Sequence, residues 1–181
     1  MAEQRGLLLA TDNENARQSA VTGAHMSYRD CIVCEIVETE RKYVRDFESL
    51  YELKNIIEQR GVISSHAVHD IFLNIDSILE FQQRFLIEIE MTNSQPGTRQ
   101  EWGKLFANNE EKFSIYMPFI ENQRSAVSVA KREFDKIVKT GHPIVSDFNT
   151  LDAFLLRPMP RLIKYSLILK VCLSTIDAVQ C

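Results

Sequence analysis

The segment 34–50 reads CEIVETERKYVRDFESL, and its spacing decides the fold. Ile36, Tyr43, Leu50 and Ile57 recur seven residues apart, and Val33 and Phe47 fill the intermediate turns. Apolar residues at that interval line one face of an α-helix. The pattern predicts a helix of roughly 30 residues from near Ser27 to Gly61, whose missing Cβ suits a left-handed C-terminal cap. Beside the apolar stripe, Glu35, Thr39, Lys42 and Asp46 follow i, i+4, i+7, i+11 and form a polar one. Periodicity alone reads that stripe as a solvated helix face.

Downstream the helical signal continues. Ser64 or Ser65 can cap a short helix running toward Phe72. Asn74 or Asp76 can start another, with Ile75, Leu79, Gln82, Phe85, Leu86 and Ile89 on one face. Thr92–Thr98 (TNSQPGT) breaks it, because Pro-Gly among small polar residues does not continue a helix. A short helix is expected around Trp102–Phe106. The segment Glu110–Lys139 follows, with Phe113, Met117, Ile120, Val127, Ala130, Phe134 and Ile137 inward and a bend at Pro118. The last helix is expected from Asn149 or Thr150, with Leu151, Leu155, Pro158, Leu162, Tyr165 and Leu169 inward. Pro158 and Pro160 lie inside it, each removing a backbone donor, so it should be kinked. Arg157, Arg161 and Lys164 make one basic edge. The expected fold is all-α, an elongated antiparallel helical bundle with a kinked last helix.

Composition narrows the function. A chain of 181 residues, 45% hydrophobic and 25% charged, can build one ordinary core. A net charge of −4 without a Lys/Arg block gives nucleic acid little to hold. The longest apolar run near the start, Leu7–Ala10, is too short for a signal peptide, and no spanning segment is visible. Four cysteines are too few for a disulfide framework, which points to a reducing compartment and a cytoplasmic location. Cys31 and Cys34 form a CxxC without a second pair at zinc spacing, and read as two half-buried thiols on a helix. His66 and His69, at i, i+3, lack a third ligand series and read as surface residues, with a small metal-dependent hydrolase as the remote alternative. No GxxxxGK[ST], GxGxxG or GxSxG occurs. The sequence calls for no cofactor, no metal and no bond-making active site.

Three blocks carry a resemblance. CEIVETERKYVRDFESL at 34–50, FLNIDSILEFQQRFLIE at 72–88 and TLDAFLLRPMPRLIKYSLILK at 150–170 resemble, in that order, the signature blocks of Dbl-homology domains, the exchange factors for Rho-family small GTPases. The variety is closest to the fungal polarity-establishment type. The resemblance implies a protein partner, a Rho-family small GTPase, whose nucleotide the domain loosens. It implies that Glu35, four positions before Thr39, engages switch I, with Thr39 also on the GTPase-binding face. Lys164 is expected to approach switch II, with Arg161 and Ile163 on the same exposed edge and Ile163 selecting the partner. The alternative is a degenerate helical scaffold without exchange activity.

Three departures from the family pattern stand in the chain: Pro160 where glutamine is usual, Ser166 where proline is usual, and no long final helix before a pleckstrin-homology domain. The expected organisation is therefore a flexible leader over 1–26 and a Dbl-like domain over 27–181 lacking its final helix. Membrane recruitment would come through missing regions. Ile32, Val37, Val44, Phe154 and Ile168 lie off the main apolar lines and are expected to need cover from that further helix.

Overall fold

The heptad-like stripe forms the spine of the fold. In the computed structural model, which describes residues 28–177, α1 spans Tyr28–Arg60. Val33, Ile36, Tyr43, Phe47, Leu50 and Ile57 are each exposed by 5% or less. Gly61 takes φ +57, and the Val62 amide donates back to the Ile57 carbonyl at 3.1 Å, closing the helix in the left-handed conformation that glycine adopts without strain. By its contacts the chain divides after Ile32. Residues 28–32 contribute the opening turn of α1, and the core lies in the unit from Val33 onward. The expected leader over 1–26 falls outside the described residues.

Ser64 caps α2 (Ser65–Phe72) by accepting from the Ala67 amide at 3.2 Å. α2 lays Ala67, Val68, Ile71 and Phe72 inward and packs chiefly on α5 (Met117–Ile137). α3 (Ile75–Asn93) buries Ile75, Ile78, Leu79, Phe81, Gln82, Phe85 and Ile89. Polar contacts give its direction. Lys54 meets Asp76 at 2.8 Å, Glu48 meets Gln83 at 3.0 Å and Arg41 meets Glu90 at 2.7 Å. Numbers fall along α1 as they rise along α3, so the two helices are antiparallel. α4 (Trp102–Ala107) adds Trp102, Leu105 and Phe106 to the core. No strand occurs among the described residues, and no described helix is long and apolar enough to cross a membrane.

Two expectations about proline are corrected. Pro118 does not bend a continuous helix. A 3-10 turn over Glu111–Tyr116 precedes it, and Pro118 lies in the first turn of α5, where an amide has no intrahelical partner to lose. The 3-10 turn advances by about 120° per residue rather than 100°, so the inward register of α5 moves. Phe119, Ala126, Val129, Ala130 and Ile137 are buried, whereas Met117, expected inward, is exposed.

The expected kink of the last helix falls at Arg157 and divides it into two helices, so that the prolines begin the second rather than lie inside one. α6 (Phe148–Leu156) is capped by Asp147, which accepts from the Thr150 hydroxyl at 2.7 Å and the Thr150 amide at 2.9 Å. Those bonds hold its carboxyl below the ordinary aspartate value. α7 (Pro158–Asp177) begins after Arg157. Pro158 and Pro160 are thus its first and third residues, and the first α-type bond runs from the Arg161 amide to the Arg157 carbonyl at 3.3 Å. Neither proline deletes a bond the helix would otherwise make. Of the five residues expected to need further cover, Val37, Val44 and Ile168 are buried within the described fold, whereas Ile32 and Phe154 are half-buried.

This placement makes Pro160 nearly neutral. Pro160→Ala is expected to change unfolding free energy by less than about 1 kcal/mol in urea titration, because an amide restored at position three of a helix finds no intrahelical acceptor. A gain near ~3 kcal/mol would mean that the residue interrupts a helix interior.

Candidate functional site

α7 also runs antiparallel to α1, and the residues singled out in the sequence meet along that seam. Three rungs cross it: Asp46 with Arg157, Glu40 with Arg161, and Glu35 with Lys164. The spacing explains the ladder. Arg157, at the joint before α7, and Arg161 and Lys164 within it stand four and three residues apart, whereas Asp46, Glu40 and Glu35 stand six and five apart along α1, which turns Glu40 into the core. The basic edge read from the sequence is therefore matched rung by rung by carboxylates.

The rungs differ in depth. Arg157 is half-buried, stacked 3.8 Å over the Phe154 ring, and its Asp46 partner also holds Lys42 at 3.3 Å. The outer rung joins Glu35 Oε1 and Lys164 Nζ at 3.2 Å, with side chains 67% and 39% exposed. Ile163 projects beside it, 54% exposed. Leu156, Met159 and Leu167 continue from it at helical spacing, also exposed. The result is an apolar stripe along one charged rung.

The middle rung is interior, which corrects the placement of Arg161 on the exposed edge. Arg161 is 6% exposed and Glu40 fully buried. The guanidinium reaches Glu40 Oε2 through Nη2 and Thr39 Oγ1 through Nη1 at 3.1 Å. Thr39, half-buried, in turn donates its hydroxyl to the Ile36 carbonyl at 3.2 Å. Both lone groups assigned to the outer face by their spacing are thus committed inward. Tyr165 donates its hydroxyl to the Glu40 carboxylate, 2.8 Å from Oε1 and 3.0 Å from Oε2. Gln82 of α3 donates its amide to Glu40 and also to the Tyr165 oxygen at 3.0 Å.

Aromatic rings close the network. Arg161 lies 4.8 Å from the Tyr165 ring centroid and 5.5 Å from that of Tyr43, which shares a 3.2 Å hydroxyl contact with Tyr116. Tyr165 packs among Phe85, Phe106 and Phe113 at 5.3 to 5.8 Å. Burial pushes the hydroxyls of Tyr43, Tyr116 and Tyr165 above the ordinary tyrosine value. Burial opposes the Arg161 charge, but Tyr165 and Glu40 outweigh it and raise its pKa.

Glu40 and Gln82 were not picked out as site residues from sequence. The signal was present, since Glu40 stands seven before Phe47 on the core stripe and Gln82 was counted on the inward face of its helix. A charged residue in a core register demands a buried partner. Elsewhere, His66 pairs with Asp70 at 3.1 Å on the surface, and no group of three or more metal-ligating side chains occurs among the described residues. Cys31 and Cys34 are exposed rather than half-buried, because both lie off the inward stripe of α1.

Removing one member of the inner rung leaves the other charge buried alone. Glu40→Ala is expected to cost about 3–5 kcal/mol in chemical denaturation, against less than about 0.5 kcal/mol for Glu35→Ala. Stability should also fall above pH ~10, where the unfolded chain ionises tyrosines that remain protonated when folded. A urea midpoint that is flat from pH 9 to 11 would contradict the buried hydroxyl network.

Comparison with known proteins identifies the family. The RhoGEF domain model matches residues 32–178. The chain is 34% identical over 143 residues to the Rho guanine nucleotide exchange factor scd1 of Schizosaccharomyces pombe, covering 79% of this chain and 16% of that protein. It is 27% identical over 169 residues to cell division control protein 24 of Saccharomyces cerevisiae, covering 92% and 20%. Human pleckstrin homology domain-containing family G member 3 is 29% identical over 164 residues, covering 86% and 13%. The chain thus spans a fifth or less of the length of these relatives. A solved structure of the Vav1 exchange factor shares the fold with a TM-score of 0.69 at 24% identity, over 78% of this chain and 40% of that one. The all-helical fold, the signature blocks and the matched span together make this chain a member of the RhoGEF (Dbl-homology) domain family.

Proposed function

We propose that this domain binds a Rho-family small GTPase across the outer rung of the α1–α7 seam and promotes release of its GDP. The observation that carries this reading is the pairing of an exposed Glu35–Lys164 rung with the exposed Ile163 stripe, in a chain of the RhoGEF family. An apolar strip rimmed by charge has the anatomy of a protein interface. The Glu35–Lys164 pair is exposed, and such pairs contribute only about 0–1 kcal/mol. Opening it to a partner therefore costs little, and each charge becomes available to a switch region.

In this mechanism Glu35 draws switch I from the nucleotide and Lys164 engages switch II near the magnesium site. Ile163 and the neighbouring stripe supply apolar contact and discrimination among partners. Thr39 and Arg161 lie beneath that face and shape it. No bond is made or broken in the domain. It binds the nucleotide-free GTPase more tightly than the nucleotide-bound form, and by reciprocity the same coupling free energy lowers nucleotide affinity. The site of action is the cytoplasm, with recruitment to the cell cortex.

Release of a fluorescent GDP analogue from a panel of purified Rho-family GTPases tests the reading. Glu35→Ala is expected to abolish acceleration while leaving the melting temperature unchanged. Lys164→Glu is expected to weaken binding with the helical circular dichroism intact. Full activity in both variants would remove this rung from the interface.

A further inference from the structure

A fully buried carboxylate constrains whatever packs over it, because its charge must be met by fixed donors. Three helices converge on Glu40: α1 itself, α3 through Gln82, and α7 through Arg161 and Tyr165. The bonds that hold α7 are directional. One planar guanidinium reaches two α1 residues, Thr39 and Glu40, and Tyr165, a turn further on, donates to the same carboxylate. Apolar contacts tolerate a slide of one helix along another, whereas this fork does not. A one-turn slide would move Arg161 by about 5.4 Å and leave Glu40 facing no cation. A rotation would carry Arg161 toward water and turn Ile163 and Lys164, two and three residues further along the helix, away from Glu35.

Building on the exchange reading above, we propose that the buried Glu40–Arg161 pair sets the register and rotation of α7 on α1. It thereby holds Lys164 and Ile163 at the distance from Glu35 that engagement of both switch regions requires. Arg161 is then a positioning residue rather than a docking one. A purely structural pair would serve only stability, and the two roles are separable. Replacing both members of a buried ion pair by apolar residues of similar size is often neutral or stabilising, while the directional fork is lost.

The test uses the full chain carrying E40L together with R161M, and separately R161K, which keeps the charge but not the planar two-pronged donor. The first readout is nucleotide release at saturating concentration, alongside the unfolding midpoint. The second is the distance distribution between spin labels at Glu38→Cys and Ser166→Cys, both exposed positions, in a background whose four native cysteines are serine. The proposal expects the double variant to melt at or above the parent. It also expects a broadened or shifted label distance and release slowed about tenfold or more, as misplacement of reacting groups typically does. R161K is expected to follow in both readouts, and it decides the matter if the double variant fails to fold. Parental distance distributions with parental release would overturn the proposal. If the unsubstituted chain releases nucleotide from no Rho-family GTPase, the exchange reading fails instead, and the label distances alone decide the positioning.

Discussion

A carboxylate and a guanidinium held out of water between three helices are the constraint on which the rest of this structure depends. In a low-dielectric interior an unpaired charge is far more costly than a missing methyl group, so every element near Glu40 must present the right donor. Arg161, Tyr165 and Gln82 do so from two other helices. The surrounding aromatic rings exclude water, and that exclusion is what makes the geometry of those donors matter. The outer rung of Glu35 and Lys164 has neither burial nor rigidity of its own. It inherits its arrangement from the rung beneath.

The two prolines acquire a meaning from the same constraint. α7 has to enter the bundle at a defined angle for Arg161 to reach Glu40. Pro158 and Pro160 restrict φ in the first turn of α7, where a missing amide hydrogen is harmless. Arg157, at the joint, is tied to Asp46 and stacked on Phe154. The start of the helix is therefore fixed covalently by ring closure and non-covalently by the Asp46–Arg157 end of the charged ladder. What looks in sequence like a damaged helix is a helix whose beginning is well determined.

Much of this was legible in the residues. Spacing of seven along Ile36, Tyr43, Leu50 and Ile57 located α1, Gly61 marked its end and Ser64 the next start, each through local chemistry that tertiary packing has no reason to override. Register was harder. The 3-10 turn before Pro118 moved the inward face of α5 by steps that a uniform helical period cannot register. The site was half legible. Glu35 and Lys164 meet across the seam, but Arg161 was assigned to the exposed edge by its spacing and by the resemblance. Its depth depends on Glu40, which sits on the core stripe of a different helix 121 residues away. A periodicity argument treats each helix separately, and a buried ion pair is a property of two. An acidic residue in a core register is the clue that would have linked them.

The most direct test of the account is a crystal structure of this chain with a nucleotide-free Rho-family GTPase. The account predicts that Glu35, Lys164, Ile163 and Leu167 lose their exposure to the GTPase and the Glu35–Lys164 bond opens, while Arg161 keeps its fork on Thr39 and Glu40. A GTPase seated on any other face, or an Arg161 side chain swung out to contact it, would contradict the claim that a buried pair positions an exposed one.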